Sequence, residues 1–289
     1  MPITNSLFRY PGGKNQLSKY VEFLLDKNNI SGTYIEPFAG GFGVALYLLF
    51  NNKIDNVVMN DYDPSIFSVW NAALNQKEEL IELIIQTEVT LDEWYRQKSI
   101  RSTFHNNPYS IENAFSTLFL NRTNISGIIN GGPIGGKKQN GKYKIDCRFN
   151  KKSIIKKINK LYSYRDRILL NNLDAGDFIA NKIENFDNKS TFIFFDPPYY
   201  KQGKNLYLSF VDEKEHGKIA KQIIGLEEYN WITTYDVQDE ILKLYMPFVQ
   251  TYKYELKYSA NTKRRAIEYL FASNCTKLES YGKVVLNKV

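Results

Sequence analysis

The first sixty residues switch between helical and strand-like hydrophobic patterns. Apolar residues recur at helical spacing from Asn15 to Lys27, and Val44 to Phe50 predict a second, apolar helix. Short apolar segments at Thr33 to Glu36 and Asn56 to Met59 predict two strands. The order of strand, glycine-rich turn, helix and strand is half of a doubly wound α/β fold.

The pattern changes after residue 63. Residues 64–121 have a helical period and contain no convincing strand. Residues 127–141 hold six glycines and Pro133, which predict a long loop or an irregular hairpin. Helical spacing returns at 151–161. Further strands, with helices between the first three, are predicted at 191–195, 231–234, 252–258 and 267–272.

A chain of 289 residues can hold one large domain with a smaller one inserted. We predict an α/β core at 1–63 and 166–289, interrupted by a helical domain at 64–165 with a glycine- and lysine-rich loop at 123–146. Hydrophobic residues make up 43% of the chain and charged residues 24%, which is typical of a soluble globular protein. The sequence has no run of eighteen apolar residues and no signal-peptide pattern, so we expect a cytoplasmic protein without a membrane span.

Cysteine and histidine usage limits the chemistry. The two cysteines, Cys147 and Cys275, are far apart, and neither histidine, His105 or His216, lies at metal-ligand spacing from another His or Cys. We therefore expect no metal, no disulfide framework and no histidine base.

Positive charge is concentrated in one segment. The net charge is +7, and residues 137–160 contain ten Lys or Arg and one acid, Asp146. A solvated helix face with a lysine-rich loop is one interpretation. The excess of one sign favours the other, a surface that binds phosphates.

The first strand leads into a segment that predicts a ligand-binding turn. Glu36 ends the strand, and Gly40 and Gly41 let the backbone approach a ligand. Asp61 follows the second strand, 20 residues after Gly41, where an acid can accept both hydrogen bonds of a ribose diol. Nicotinamide-dependent enzymes share this arrangement, although G-G-F-G does not match their G-x-G-x-x-G. A tight turn with a surface aspartate is the structural alternative.

The segment from Phe8 to Lys14 also predicts a ligand loop. Its two glycines let the backbone bend, and Lys14 at the start of a helix offers a cation to a carboxylate. A solvated lysine in an N-terminal turn is the alternative.

Asp196, Pro197, Pro198 and Tyr199 follow a buried strand. The prolines hold the backbone rigid after Asp196. The Asp196 carboxylate and the Pro197 carbonyl can accept both N–H groups of a planar amine and direct its lone pair to a methyl donor, while Tyr199 stacks on the base. The alternative is a strand exit stiffened by prolines.

In their order along nearly the whole chain, these motifs resemble the Dam-like (D12 class, alpha group) DNA adenine-N6 methyltransferases. The resemblance implies a Rossmann-like, seven-stranded methyltransferase sheet, with S-adenosylmethionine as methyl donor, S-adenosylhomocysteine as product and no metal. The catalytic residues it implies are Asp196, Pro197, Pro198 and Tyr199. The cofactor-binding residues it implies are Arg9, Tyr10, Gly12, Lys14, Glu36, Pro37, Phe38, Gly40, Gly41, Asp61, Asp177, Phe178 and Asp196, with Lys14 meeting the methionine carboxylate.

The residues from Phe119 to Asn130 resemble the family's target-reading segment, with a departure. Asn130 falls where members that methylate GATC carry a guanine-reading arginine, and Ile125 and Ser126 replace an intercalating pair. Asparagine prefers adenine edges, so we expect a target other than GATC. The predicted DNA-binding residues are Arg122, Asn124, Ile125, Ser126, Ile128, Asn130, Lys137, Lys138, Lys142, Asn261, Arg264 and Arg265.

The implied partner is double-stranded DNA, with the target adenine flipped out of the helix by a monomeric, nucleoid-associated enzyme. A cognate restriction endonuclease is a candidate partner. Two other interpretations remain open: a methyltransferase acting on RNA adenine or on a protein glutamine amide, and a DNA-binding homologue without catalysis.

Overall fold

The computed structural model describes residues 4–9, 13–200, 213–258 and 264–289. The chain divides into two compact units. The first unit comprises Met1–Gly13 and Asp61–Asn172, and the second comprises Lys14–Asn60 and Leu173–Val289. The first unit therefore includes the N-terminal residues as well as the segment in which the helical domain is predicted.

The helices of the described ranges match the helical periods of the sequence, and several begin at a capping side chain. Asp63, Thr90, Ser110 and Asn150 each accept a backbone N–H bond of the following helix. The helices are α1 Ser18–Asn28, α2 Gly43–Phe50, α3 Pro64–Asn75, α4 Lys77–Gln86, α5 Leu91–Phe104, α6 Ile111–Thr123, α7 Lys151–Tyr162, α8 Ala175–Asn181, α9 Glu213–Ile224 and α10 Asp239–Tyr245.

The described part of the chain has eight strands, one more than the implied sheet, and the addition is a two-residue strand near the C-terminus. The strands are β1 Thr33–Glu36, β2 Asn56–Asn60, β3 Ile168–Asn171, β4 Thr191–Phe195, β5 Asn230–Asp236, β6 Gln250–Tyr258, β7 Arg264–Ala272 and β8 Asn287–Lys288.

The second unit contains seven of these strands, in the order β2-β1-β4-β5-β7-β6-β8. Strands β2, β1, β4 and β5 pair in parallel. Strands β7, β6 and β8 continue the sheet with antiparallel pairs. The change of direction matters for the site, because it brings the middle of β7 beside the end of β5.

The parallel strands are almost continuously apolar because both of their faces are buried. All five residues of β4 are buried, and Ile193 and Phe195 belong to a core cluster of the second unit that also includes Trp231 and Phe271. Helices α8 and α9 contribute further side chains to this cluster. This packing fixes the strand ends from which the predicted catalytic residues extend.

The first unit is built mainly of helices packed on a core of large aromatic side chains. Trp70 on α3 and Trp94 on α5 are each 1% exposed. Phe8 packs edge-on against Trp70 at 5.5 Å between ring centroids. This contact anchors the N-terminal segment within the first unit.

The sequence patterns and the structure agree on the α/β fold, although several elements differ in existence or bounds. Strand β3 was not predicted, because its four residues follow the charged Arg165–Arg167 turn and none of them is fully buried. Strand β7 begins at Arg264, three residues before the predicted strand. In the described ranges no helix is both long and apolar enough to cross a membrane, and no group of His, Cys, Asp and Glu is placed to hold a metal.

Candidate active site and recognition loop

The ends of three strands define one edge of the second unit's sheet. The parallel strands β1 and β4 run in the same direction as β5, so their carboxyl ends, at Glu36 and Phe195, lie on the same edge as the end of β5. Asp196 to Tyr199 follow β4 directly. Glu268 of β7 pairs with Asp236, the last residue of β5, and therefore lies at this edge too.

Lys14 is held in a cluster of polar side chains at this edge. Its ammonium nitrogen lies 3.1 Å from Asp196 Oδ1, 3.3 Å from Glu268 Oε2 and 2.9 Å from the Tyr199 hydroxyl. The lysine side chain is only 3% exposed. We call the following set the catalytic-edge cluster: Lys14, Asp196, Tyr199, Thr234, Tyr254 and Glu268.

Hydroxyl groups donate hydrogen bonds to both carboxylates in the cluster. Thr234 Oγ1 donates to Asp196 Oδ1 at 2.9 Å. The Tyr199 hydroxyl donates to Glu268 Oε1 and the Tyr254 hydroxyl to Glu268 Oε2, each at 2.7 Å. The orientation of both carboxylates is thus fixed by neighbours that are themselves bonded.

Lys14, which is expected to meet a cofactor carboxylate, is surrounded by protein acceptors in the described residues. An ammonium group has three protons to donate, and Asp196, Glu268 and Tyr199 supply acceptors for all of them. A buried lysine is stable as a cation only when it is paired in this way. Lys14 therefore lies beside Asp196 and Tyr199, two of the predicted catalytic residues.

Asp196 has an unusual electrostatic environment. Burial raises its pKa, the neighbouring Lys14 charge lowers it, and the charge of Glu268 raises it again. The net result is a pKa above the ordinary aspartate value. The side chain keeps 27% of its surface exposed, so it remains accessible to a substrate from the edge of the sheet.

Glu36 is almost fully buried at the end of β1. Its Oε1 accepts a bond from the Tyr34 hydroxyl at 3.1 Å and from the Ala45 backbone N–H, in the first turn of α2, at 3.2 Å. Burial raises the pKa of Glu36 to about 8, although both hydrogen bonds oppose the shift. The predicted cofactor residue is thus a carboxyl group that stabilises the start of α2.

The turn after β1 adopts the tight conformation that its glycines predict. Gly40 has a positive φ of 44°, and the backbone N–H of Phe42 donates to the Ala39 carbonyl at 2.7 Å. Pro37, Gly40 and Gly41 are buried and Phe38 is half-buried. Asn60 fixes the turn, because its amide nitrogen donates to the carbonyls of Pro37 and Leu173.

Asp177 and Phe178 lie in the first turn of α8 and differ in exposure. Asp177 is exposed, and the helix is capped by Asp174, which accepts bonds from the Gly176 and Asp177 N–H groups. Phe178 is 0% exposed within the core cluster. Phe178, which is predicted to bind the cofactor, therefore packs its side chain in the core.

Asp61 and Arg9 belong to the first unit. Asp61, the residue after β2, is half-exposed, and its Oδ1 accepts a bond from the Asp63 N–H at 3.0 Å. The guanidinium of Arg9, predicted to bind the cofactor, donates to the Asn124 carbonyl at 3.0 Å. Arg9 therefore supports the recognition loop, which we define as residues 123–146.

Asn121 fastens the N-terminal segment to this loop. Its Oδ1 accepts a bond from the Arg9 N–H at 2.8 Å, and its amide nitrogen donates to the Arg9 and Gly127 carbonyls. A side chain at Gly127 would lie 2.0 Å from the Arg9 carbonyl oxygen, and its φ is +79°. Only glycine fits this close approach.

The predicted DNA contact at Asn124 is corrected by the structure. Asn124 is 0% exposed. Its Oδ1 accepts a 2.6 Å bond from the Trp94 indole, and its amide nitrogen donates to the carbonyls of Ile128 and Ile129. The side chain holds the loop in shape and has no group available for DNA.

The other predicted contacts in the loop differ in exposure. Ile125 is 50% exposed, Ser126 and Ile128 are half-buried, and Asn130 is exposed. The Asn130 Oδ1 accepts a bond from Arg101 of α5 at 3.2 Å. Arg122 is half-buried, and burial lowers its pKa to about 10.

The basic part of the loop lies on the surface. Lys137, Lys138 and Lys142 are all exposed, as the phosphate-binding prediction requires. Tyr10, Gly12 and Asn261 lie outside the described residues. Arg264 and Arg265, expected in a loop, pair with Tyr258 and Lys257 as the first residues of β7, and their side chains lie outside the described part.

The sequence patterns missed several residues that build the site. Thr234, Tyr254 and Glu268 lie on strands whose apolar alternation predicts only packing, yet they complete the catalytic-edge cluster. Glu268 did carry a signal, because it is a charged residue between Ile267 and Tyr269 in an apolar strand. Such a residue is buried only when it is paired, and Glu268 is 2% exposed. Asn60 and Asn121 gave no such signal.

Comparisons with known proteins show the family to which the chain belongs. Residues 10–270 match the family described as D12 class N6 adenine-specific DNA methyltransferase. The chain is 28% identical over 204 residues to the type II methyltransferase M.MjaIII of Methanocaldococcus jannaschii, covering 66% of this chain and 68% of that protein. It is 26% identical over 255 residues to the type II methyltransferase M.CviBI of Paramecium bursaria Chlorella virus NC1A, covering 87% and 90%.

A solved structure shows a more distant similarity. The rRNA methyltransferase aviRa from Streptomyces viridochromogenes aligns with a TM-score of 0.42 and 11% identity, over 92% of this chain and 87% of that one. A similarity this low adds nothing to the assignment. The assignment rests on the family match, which spans both units and includes the catalytic motif: the chain belongs to the D12 class N6 adenine-specific DNA methyltransferases.

Proposed function

We propose that this protein transfers a methyl group from S-adenosylmethionine to adenine N6 at a specific sequence in double-stranded DNA. The observation that carries the proposal is the position of Asp196 to Tyr199 at the end of β4, with the Asp196 carboxylate oriented by Thr234 and Lys14. The positively charged recognition loop of the first unit favours nucleic acid as the substrate. The two type II relatives favour a role beside a restriction endonuclease that cuts the same sequence.

Asp196 and Pro197 bind the target amine in this proposal. Thr234 and Lys14 both bond to Asp196 Oδ1, so we assign Oδ2 to one N–H of the amine and the Pro197 carbonyl to the other. These two acceptors direct the nitrogen lone pair away from the ring. Tyr199 stacks on the base, with its hydroxyl fixed by Lys14 and Glu268.

The donor brings an activated methyl group, so the nitrogen–carbon bond forms as the sulfur–carbon bond breaks and its electron pair stays on sulfur as S-adenosylhomocysteine. The methylated nitrogen then releases one proton, which Asp196 is placed to accept. A pKa raised by burial makes the Asp196 carboxylate a stronger base than an ordinary aspartate.

The residues present fit such a donor. The second unit offers a tight glycine turn at Gly40 and an exposed carboxylate at Asp177, and carboxylates accept bonds from amino and hydroxyl groups. We assign the donor to Glu36, Pro37, Phe38, Gly40, Gly41 and Asp177 of the second unit.

The target adenine must leave the helix to reach Asp196, because in the duplex one N–H of N6 is paired with thymine and neighbouring base pairs cover both faces of the base. Ile125, half-exposed at the loop, is our candidate for filling the gap. Asn130 is our candidate for reading an adenine edge, and Arg101 holds its side-chain oxygen. The exposed lysines of the loop bind phosphates without specifying sequence.

Methylation of unmodified, mixed-sequence DNA by the purified protein, read by single-molecule sequencing, tests the proposal. We expect N6-methyladenine within one short sequence other than GATC, and a change of preference at a single base for Asn130→Ala. Absence of modified adenine, with an RNA pool methylated in its place, would overturn the proposed substrate.

A further inference from the structure

Glu268 is a buried carboxylate that the reaction described above does not use. It is 2% exposed in the middle of β7. The strand pairs Glu268 with Asp236 of β5 on one side and with Tyr254 of β6 on the other. Its backbone is therefore fixed by hydrogen-bonded neighbours on both sides.

The Glu268 carboxylate divides its two oxygens between different partners. Oε1 accepts a 2.7 Å bond from Tyr199, and Oε2 accepts a 2.7 Å bond from Tyr254. Lys14 lies 3.4 Å from Oε1 and 3.3 Å from Oε2. Both tyrosine bonds have the ordinary length of a hydroxyl hydrogen bond.

Two of these partners, Lys14 and Tyr199, also belong to the part of the site that we assign to the target adenine. Lys14 bonds to Asp196 Oδ1 as well as to Glu268, and Tyr199 is the base-stacking residue of the proposed mechanism. A lysine between two carboxylates is shared, so removal of one charge moves it towards the other. The position of Lys14 relative to Asp196 thus depends on Glu268.

We propose that Glu268 is a positioning residue for methyl transfer, which holds Lys14 and Tyr199 in the orientation that presents Asp196 and the Tyr199 ring to the target adenine. Tyr254 supports it by fixing Oε2. This inference rests on the proposed function, because it assigns a role in that reaction. Neither residue touches the substrate.

Two variants separate the charge of Glu268 from its geometry. Glu268→Gln removes the charge and keeps the shape, and Tyr254→Phe removes one bond and keeps the charge. Tyr252→Phe, on the same strand and outside the catalytic-edge cluster, is the matched control. Each full-length protein is first tested for folding by thermal melting, and then for single-turnover methylation of its target duplex.

We expect Glu268→Gln to lower the single-turnover rate by roughly 30-fold or more and Tyr254→Phe by about fivefold, with KM for S-adenosylmethionine and for DNA within about threefold of wild type. Tyr252→Phe keeps the wild-type rate. A loss confined to KM, with kcat unchanged, would overturn the proposal, because it would place Glu268 in binding only.

The dependence of the methylation rate on pH provides a further test, because it would not change if Glu268 had a purely structural role. The charge of Glu268 raises the pKa of Asp196, so Glu268→Gln should move the acid limb of the rate profile to lower pH. Tyr254→Phe, which keeps that charge, leaves the limb in place. The titratable groups that face Asp196 in the second unit are Lys14, Glu268, Glu36, Tyr34, Tyr199 and Tyr235.

The outcomes distinguish this proposal from the function on which it rests. If the wild type produces no N6-methyladenine, the proposed function fails. If the wild type methylates DNA and both variants match its rate and acid limb, the positioning role of Glu268 alone is wrong. If Glu268→Gln does not fold, the rate and KM values of Tyr254→Phe decide the question.

Discussion

The catalytic edge of the second unit and the recognition loop of the first unit are each stabilised by internal hydrogen bonds, and the kind of bond differs between the two regions. At the catalytic edge, charged and hydroxyl side chains bond to one another, and Lys14 meets Glu268 across 254 positions of sequence. At the loop, amide side chains bond mainly to backbone: Asn121 of α6 to the Gly127 carbonyl and Asn124 of the loop to the Ile128 carbonyl.

This difference has a functional meaning. In the catalytic-edge cluster each side chain orients its neighbours by hydrogen bonds, so the replacement of one disturbs the others. Such a network suits a reaction that requires one fixed geometry. Amides that fix only the backbone leave the exposed side chains of the loop, such as Ile125 and Asn130, free to differ while the loop keeps its shape. Changes in the cluster should therefore reduce rate, changes in the loop anchors should reduce stability, and changes at the exposed loop residues should alter affinity.

The largest effect is expected at Asp196. Asp196→Asn keeps the shape of the side chain and removes the charged acceptor of the target amine, so we expect kcat to fall roughly 10²–10³-fold or more. DNA affinity should remain within about threefold of wild type. Filter binding and methylation assays measure the two quantities, and Asp166→Asn, at an exposed position of the first unit, is the control. An Asp196→Asn enzyme with normal kcat would refute the assigned role.

Asn121 should show the opposite behaviour. Asn121→Ala removes three hydrogen bonds from a side chain that is 1% exposed. Because it leaves buried backbone groups without partners, we expect a loss of about 2–4 kcal/mol in the free energy of unfolding. Urea denaturation measures this loss, with Asn159→Ala on the exposed face of α7 as control. Equal stability of the two variants would show that the loop does not need this anchor.

The same contrast explains how much could be predicted from the sequence. The strand before Asp196 and the turn at Gly40 follow from local pattern, since an apolar run and a positive φ depend on neighbouring residues. The contact between Lys14 and Glu268 could not be predicted, because the two residues are brought together only by the order of the strands. Asn124 was assigned to DNA because nothing in its own segment indicates the indole of Trp94.

Glu36 provides a test based on stability and pH. Its pKa is about 8 in the folded protein and near 4.5 when exposed. Above pH 4.5 the unfolded chain therefore loses a proton that the folded protein keeps, so the contribution of Glu36 to stability is complete below that pH and is lost as the pH rises through 8. The slope is at most about 1.4 kcal/mol per pH unit.

Glu36→Gln removes this titration. We expect the wild type to lose stability relative to Glu36→Gln between pH 6 and pH 8, by up to about 2 kcal/mol, as measured by urea denaturation at each pH. Glu184→Gln, at an exposed position, should run parallel to the wild type. A constant difference between wild type and Glu36→Gln would show that Glu36 is ionised throughout this range.

The smallest effect is expected at the exposed lysines of the loop. Replacing Lys137, Lys138 and Lys142 with alanine removes three cations from the surface. Each phosphate contact contributes about 0.9 to the slope of log affinity against log salt, so the slope should fall by roughly 2–3, with about tenfold weaker binding at moderate salt. Alanine at Lys182, Lys189 and Lys283, exposed in the second unit, makes the same charge change. Because phosphate contacts carry no sequence information, the preferred target should stay the same. If the two triple variants show equal slopes, net charge accounts for the salt dependence and the loop lysines do not contact phosphate.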